Sequence, residues 1–409
     1  MEKSNTLNST PSANRIHIGF FGMRNAGKSS IVNAVLGQQM AIVSDVKGTT
    51  TDPVYKAMEL LPLGPVMIID TPGIDDEGEL GTLRIKKSKQ VMNKSDAAVL
   101  VVDGTIGLST QDKELIELFQ KKQLPYLIAW NKCDEGYDEQ ETEEDSYQEH
   151  KIFVSAKTGY HIHELKEQMA KMIPNEEHKC PIVGDLIEPH DLVVLVVPID
   201  SAAPKGRLIL PQQQTIRDIL DSDAVSIVVK ENELKHVLPA LGKKPKLVIT
   251  DSQVFAQVSK DTPEDILLTS FSILFARYKG NLELAVQGAT ALETLKDGDT
   301  ILISEGCTHH RQCDDIGSVK MPRWIGEYTG KQLNFEYSSG TEFPEDLSKY
   351  KMIVHCGGCM LNEREMKCRL AHANDEGIPI TNYGILIAYM KGILARSLKA
   401  FPQIAENLR

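Results

Sequence analysis

An apolar stretch, Ile16-His17-Ile18-Gly19-Phe20-Phe21, runs straight into Gly22-Met23-Arg24-Asn25-Ala26-Gly27-Lys28-Ser29. That junction restricts the fold more than any other part of the chain. The eight residues match G-x-x-x-x-G-K-[ST], the stretch before them reads as a buried strand, and Ser30 to Leu36 reads as a helix. Glycines let backbone N–H groups close around phosphates at a helix N-terminus, where the peptide dipoles already favour negative charge. In that cradle Asn25, Ala26, Gly27 and Ser30 supply loop and helix-start positions. Lys28 places a point charge on the β and γ phosphates, and the Ser29 hydroxyl is offered to Mg²⁺.

Later strands carry companions of this loop. Val66-Met67-Ile68-Ile69 ends in Asp70-Thr71-Pro72-Gly73, where the Asp70 carboxylate can hold Mg²⁺ through water and the Gly73 N–H can sense the γ phosphate. Tyr126 to Trp130 reads as a strand ending in Asn131-Lys132-Cys133-Asp134. A carboxylate there accepts two hydrogen bonds from guanine N1 and N2, a donor pair that adenine lacks, so Asp134 selects GTP over ATP. Ser155-Ala156-Lys157, after the strand Ile152 to Val154, completes the base pocket. All of these stand at the carboxyl ends of strands, where doubly wound α/β sheets bind ligands. The combination resembles the translation-factor-like GTPases of the tRNA-modification and Era group. By that resemblance Gly48-Thr49-Thr50-Thr51-Asp52 is the first switch segment, with Thr50 on Mg²⁺. Asn25 matches the residue that holds K⁺ in potassium-activated members. Ile74 stands where Ras carries its water-orienting glutamine, leaving Asp75, Asp76, Glu77 and Glu79 as nearby candidates and implying slow hydrolysis. The acidic segment 135–149 reads as a solvated loop.

A chain of 409 residues exceeds one ordinary core, so two or three domains are expected. Residues 1–14 read as a polar tail without a secretion signal, and no apolar run approaches a membrane span. The formal charge of -12 disfavours a protein whose main task is gripping nucleic acid. Seven cysteines without an export signal point to the cytoplasm rather than to a disulfide framework. Cys133, Cys180, Cys313 and Cys368 stand alone and read as incidental thiols.

The remaining boundaries are a GTPase domain over 15–175, a proline-bracketed linker over 176–184, and two further α/β units, 185–278 and 279–409. In the middle unit Leu192 to Val197, Val225 to Val229 and Lys246 to Thr250 read as strands. Thr262-Pro263 reads as the start of a helix over Ile266 to Tyr278. The middle unit holds no catalytic cluster.

The last unit carries a second chemistry. Thr300 to Ser304 reads as a strand followed by Glu305-Gly306-Cys307-Thr308-His309-His310, and Lys351 to Val354 as a strand followed by His355-Cys356-Gly357-Gly358-Cys359. Parallel strands ending side by side would bring both groups together, and the helix expected from Asn362 would favour the thiolates. Two thiols spaced C-x-x-C suit Zn²⁺ and Fe–S clusters alike. Cys₃His would make a structural zinc site, whereas three cysteines and an exchangeable fourth ligand would hold a 4Fe–4S cluster. An incidental C-x-x-C is the third reading.

A GTPase domain, then C-x-H, about 45 residues, and H-C-x-x-C resembles the FeFe-hydrogenase maturation GTPases, the HydF family, over essentially the whole chain beyond the tail. The resemblance implies a 4Fe–4S cluster on Cys307, Cys356 and Cys359. It also implies a homodimer formed through the middle unit, and a scaffold that carries a transient di-iron subcluster precursor to apo-hydrogenase. Two radical-SAM maturases are the other implied partners, with GTP modulating exchange. The fourth cluster ligand is left among Glu305, His309 and His355. The competing functions are an RNA-directed GTPase with a structural zinc, and a redox-sensing GTPase.

Overall fold

The computed structural model describes residues 11–37, 52–73, 78–135, 147–173, 180–198, 208–306, 315–340 and 342–406. The chain divides into two compact units, Met1–Glu177 and His178–Arg409.

The first unit is a six-stranded sheet in the order β2-β3-β1-β4-β5-β6. Its strands are β1 (Ile16–Phe21), β2 (Val54–Leu60), β3 (Gly64–Asp70), β4 (Ala97–Asp103), β5 (Tyr126–Asn131) and β6 (Lys151–Phe153). Only β2 runs antiparallel to its neighbour. Strands β4 and β5 are near-continuous apolar runs, as expected of parallel strands covered on both faces. Ile18, Phe20, Val99 and Val101 face one buried layer, while Phe21, Leu100, Val102 and Ile128 face the other. The helices Lys28–Leu36 and Ile162–Met172 pack on the first face. Thr110–Lys121 packs on the second and starts with a capping box between Ser109 and Asp112.

The second unit contains two four-stranded sheets, all parallel. One has the order β10-β9-β7-β8, from β7 (Leu192–Val196), β8 (Val225–Val229), β9 (Leu247–Thr250) and β10 (Leu267–Ser270). The other has the order β12-β11-β13-β14, from β11 (Thr300–Glu305), β12 (Asn334–Ser339), β13 (Met352–His355) and β14 (Ile380–Asn382). A single apolar core runs through both sheets, joining Val194 and Ile249 of the first to Ile301, Ile303 and Val354 of the second. The helix Tyr383–Met390 is apolar all round, with Ile385, Leu386, Ile387 and Ala388 buried, and belongs to that core. Asn382 caps it, accepting from the Ile385 N–H at 2.8 Å while its amide donates to the Ser272 carbonyl at 3.0 Å.

One expected element is corrected here. Residues 266–278 are not one helix. Leu267–Ser270 pairs as β10 with β9, and the helix begins only at Phe271 and runs to Lys279. The reason lies in burial: Leu268, Thr269 and Ser270 are enclosed beside β9, which favours a parallel strand. The cap moves accordingly. Ser270 accepts from the Ile273 N–H, while Thr262 closes the preceding helix, Phe255–Asp261, and Pro263 opens a turn.

Candidate nucleotide site and candidate metal centre

The carboxyl ends of β1, β3 and β5 open onto a cavity of about 770 Å³ lined by Asn25, Gly27, Lys28, Ser29, Asp70, Gly73, Asn131, Lys132, Asp134, Ala156 and Lys157. At its floor the Lys28 ammonium, almost fully buried, donates to the Gly22 and Met23 carbonyls at 2.9 and 2.8 Å. The loop therefore curls around its own lysine. Gly27 has φ +90°, and a Cβ there would lie 2.2 Å from the Asn131 amide nitrogen. Asn131 ties the two ends of the site together: its amide donates to the Ala26 carbonyl at 2.9 Å, and its Oδ1 accepts from the Ala156 N–H at 3.1 Å.

Ser29 donates to Asp70 Oδ2 at 2.6 Å, whereas Asp70 Oδ1 is buried with no hydrogen-bond partner. Burial raises the Asp70 pKa above the usual carboxylate range, against the Ser29 hydrogen bond and the nearby Lys28 charge. A buried carboxylate oxygen left unmatched beside a serine hydroxyl is chemistry that a hard cation satisfies. At the base end the Ser155 hydroxyl donates to Asp134 Oδ1 at 2.6 Å and Lys157 stands 3.7 Å from its other oxygen. The Ser155 hydrogen bond leads in holding the Asp134 carboxyl below its usual range, so it is presented as an acceptor. Lys132 is paired with Asp103. Arg24 and Arg84 also line the cavity. Neither is visible in the sequence alone, since Arg24 occupies a free position of the loop pattern and Arg84 follows no motif. Thr50 and residues 74–77 lie outside the described residues.

In the second unit β11 and β13 are adjacent and parallel, with Ser304 opposite His355. Glu305 and Cys356 therefore leave the sheet side by side. The Gly306 N–H donates to Cys356 Sγ at 3.0 Å and the Gly358 N–H at 3.4 Å, donors of the kind that tune cluster sulfurs. The expectation that the helix after Asn362 favours thiolates needs correction. That helix exists (Glu363–Asp375, capped by Asn362), but burial pushes the Cys356 thiol up to about 11 and raises Cys359, with Lys279 opposing the latter. Metal uptake here must release protons.

His355 is 1% exposed and committed on both nitrogens. Nε2 lies 3.0 Å from Arg369 Nη1, and Nδ1 lies 2.7 Å from the Cys356 carbonyl. Because a guanidinium only donates, Nε2 accepts and Nδ1 carries the proton. Burial first, then Arg369, lowers the His355 pKa to about 3. Arg369 also donates to Glu365 at 2.6 Å and to the Gly340 carbonyl at 2.7 Å, which fastens the strand ends together. Neither Arg369 nor Tyr383, whose hydroxyl donates to Glu305 Oε1 at 3.2 Å, was singled out from sequence. Among the described residues no group of three His, Cys, Asp or Glu side chains is set to hold a metal. Cys307 and His309 lie outside them. The described thiols, Cys356 and Cys359, are donors of the soft kind that thiophilic metals take.

Comparisons with known proteins agree with this division. Residues 17–132 match the model of the 50S ribosome-binding GTPase family. Residues 182–280 match the hydrogen maturase F dimerization domain, and residues 283–400 the hydrogen maturase F tetramerization domain. The chain belongs to the hydrogen maturase F family. Its first unit contains a P-loop GTPase domain, the kind that binds GTP with Mg²⁺. The chain is 34% identical over 177 residues to GTPase Der of Wolinella succinogenes, covering 41% of this chain and 37% of that protein. It is 38% identical over 114 residues to the tRNA modification GTPase MnmE of Desulforamulus reducens, covering 28% and 24%. The chain thus spans well under half the length of these two relatives. A crystal structure of Aquifex aeolicus Era bound to GDP and AlF4⁻ aligns with a TM-score of 0.35 at 20% identity, over 52% of this chain and 92% of that one. No helix among the described residues is long and apolar enough to cross a membrane.

Proposed function

We propose that this protein is a metallocluster scaffold and carrier of FeFe-hydrogenase maturation, governed by its own GTPase domain. The observation that carries the reading is positional. The two hydrogen maturase F models cover residues 182–280 and 283–400, and within the second of them the strand ends that carry Glu305 and His355-Cys356 lie side by side, with Cys359 three residues beyond Cys356. Cys307, Cys356 and Cys359 hold a 4Fe–4S cluster, and the fourth position is exchangeable. With both His355 nitrogens engaged, the candidates for that position narrow to Glu305 and His309. The cluster when bound supplies an iron to which an incoming precursor can attach. The chain's own part is to present thiols, to shield Cys356 with two N–H donors, and to keep the precursor in reach until apo-hydrogenase takes it. Two radical-SAM maturases deliver the precursor.

In the first unit Ser29, Thr50 and Asp70 hold Mg²⁺, Lys28 and Gly73 read the β and γ phosphates, and Asn131, Lys132, Asp134, Ser155, Ala156 and Lys157 form the guanine pocket. Asn25 and K⁺ assist hydrolysis, which modulates partner exchange. The protein works in the cytoplasm as a homodimer or larger assembly, as the descriptions of the matched domains suggest.

The deciding experiment is anaerobic purification. About four iron and four sulfide per chain, followed by activation of apo-hydrogenase after loading by the maturases, is the expected result. Colourless protein with one zinc would reject the scaffold reading in favour of a structural metal site. Iron-replete protein that never activates hydrogenase would leave a sensor.

A further inference from the structure

Strand β11 alternates its side chains, so Ile301, Ile303 and Glu305 share one face. Ile301 and Ile303 enter the large apolar core, and Glu305 continues that row as a buried carboxylate. A carboxylate placed there needs donors, because burying it unmatched is expensive. Tyr383 provides one, its hydroxyl donating to Oε1 at 3.2 Å. That separation is long for O–H···O, whose usual range centres near 2.7–2.8 Å, so the grip is loose.

The phenol cannot wander. Tyr383 is the first residue of the buried helix Tyr383–Met390, anchored through Asn382 to Ile385 and Ser272. The pair is also enclosed from a third side. A Cβ on Gly317 would stand 2.2 Å from the Tyr383 hydroxyl oxygen and 2.3 Å from Glu305 Oε1, so any larger residue would have to push the pair aside. Gly317 belongs to a π-helical turn, Ile316–Lys320, a conformation often found at functional positions. A phenol facing a carboxylate oxygen is the donor of the pair. A strand end, a helix start and a π turn thus converge on one carboxylate next to Cys356.

We propose that Tyr383 is a positioning residue that keeps Glu305 a weak, replaceable iron ligand, its hydroxyl holding Oε1 and drawing electron density from the carboxylate. The inference rests on the proposed cluster with Glu305 as its exchangeable ligand. A carboxylate shared with a phenol donor competes poorly for iron, so a small incoming donor displaces it readily. Freed of the phenol, Glu305 would bind iron harder and the fourth position would exchange less.

The test uses full-length protein with its cluster reconstituted anaerobically, titrated with imidazole and followed by electron paramagnetic resonance of the reduced cluster. Tyr383→Phe keeps the ring and removes the donor. It should weaken imidazole binding about fivefold, the loss of a long hydrogen bond to a charged acceptor. Gly317→Ala should move the titration in the same direction by crowding the hydroxyl away. Glu305→Gln should change the resting spectrum and tighten imidazole binding, and Tyr383→Phe should then add nothing in the Glu305→Gln background. If Glu305→Gln leaves spectrum and titration unchanged, Glu305 is not a ligand, and the inference falls with that assignment. If Glu305→Gln acts while Tyr383→Phe changes imidazole affinity less than twofold, the role of Tyr383 alone is overturned. Should Tyr383→Phe fail to load iron, Gly317→Ala decides on the same twofold criterion. If neither loads iron, the pair is needed to build the site and not to tune it, which also overturns the proposal.

Discussion

The nucleotide cradle and the strand ends that bear Cys356 differ in how much of the binding work is done before a ligand arrives. In the cradle the polar groups are already poised: Lys28 sits on carbonyls, Asp134 is held as an acceptor, and a cavity of about 770 Å³ stands open. At the strand ends Cys356 and Cys359 are largely enclosed, and burial raises the pKa of both thiols. An open, charged, pre-bonded site suits a ligand that comes and goes. Buried thiols must give up protons to any metal they bind, which ties uptake there to pH. The two regions thus differ in how ready they stand for a ligand, and the difference can be attacked from either side.

The largest effect expected is from Cys356→Ser. Iron should fall from about four per chain to well under one, because the loop loses a thiolate that two N–H groups support. Binding of a fluorescent GTP analogue should be unchanged, since no residue of the cradle is touched. Loss of both would break the contrast between the sites. Next, Arg369→Gln leaves Glu365 as a buried charge without its partner and releases His355, the Arg–Glu pair being 3% and 10% exposed. A destabilisation of about 3–5 kcal/mol is expected, read as a lowered melting transition of metal-free protein.

A smaller effect concerns His17 on β1, which burial holds at about 4 against a usual 6.5. With the folded pKa depressed, the unfolded chain binds more protons in this window. The stabilisation is fully present above about pH 6.5 and is lost as pH falls toward 4, about 3 kcal/mol in all. His17→Gln should flatten the pH dependence of the melting of the first unit over that range. The smallest change is one of selectivity. Asp134→Asn removes the acceptor for the two guanine donors and should cost GTP affinity about 2 kcal/mol, or some thirtyfold. Xanthosine triphosphate, which presents a carbonyl where guanine has its amine, should gain.

Much of the nucleotide site was legible because its residues come in short contiguous runs, each at the end of an apolar strand. Strand β1, the loop and the helix from Lys28 follow one another in sequence, and local pattern suffices. The neighbouring ends of β11 and β13 were legible for the same reason. What failed was the segment 266–278, where an apolar run serves equally well as buried strand or helix and only pairing with β9 decides. Arg369 and Tyr383 were invisible for another cause. Spacing would suggest only the Arg369–Glu365 pair four residues apart, whereas the contacts that tie Arg369 to Ser304 and Tyr383 to Glu305 span 65 and 78 residues, which no spacing rule reaches.

The single core that joins both sheets of the second unit has a consequence for how the chain can be divided. The two matched domains, 182–280 and 283–400, share Ile249 and Leu268 with Ile303 and Leu386 in one enclosed apolar interior. Severing the chain near Gly280 would leave two raw faces rather than two proteins. The two matched domains are therefore one packing unit, and a cut between them would expose Ile249 and Ile303 alike to water.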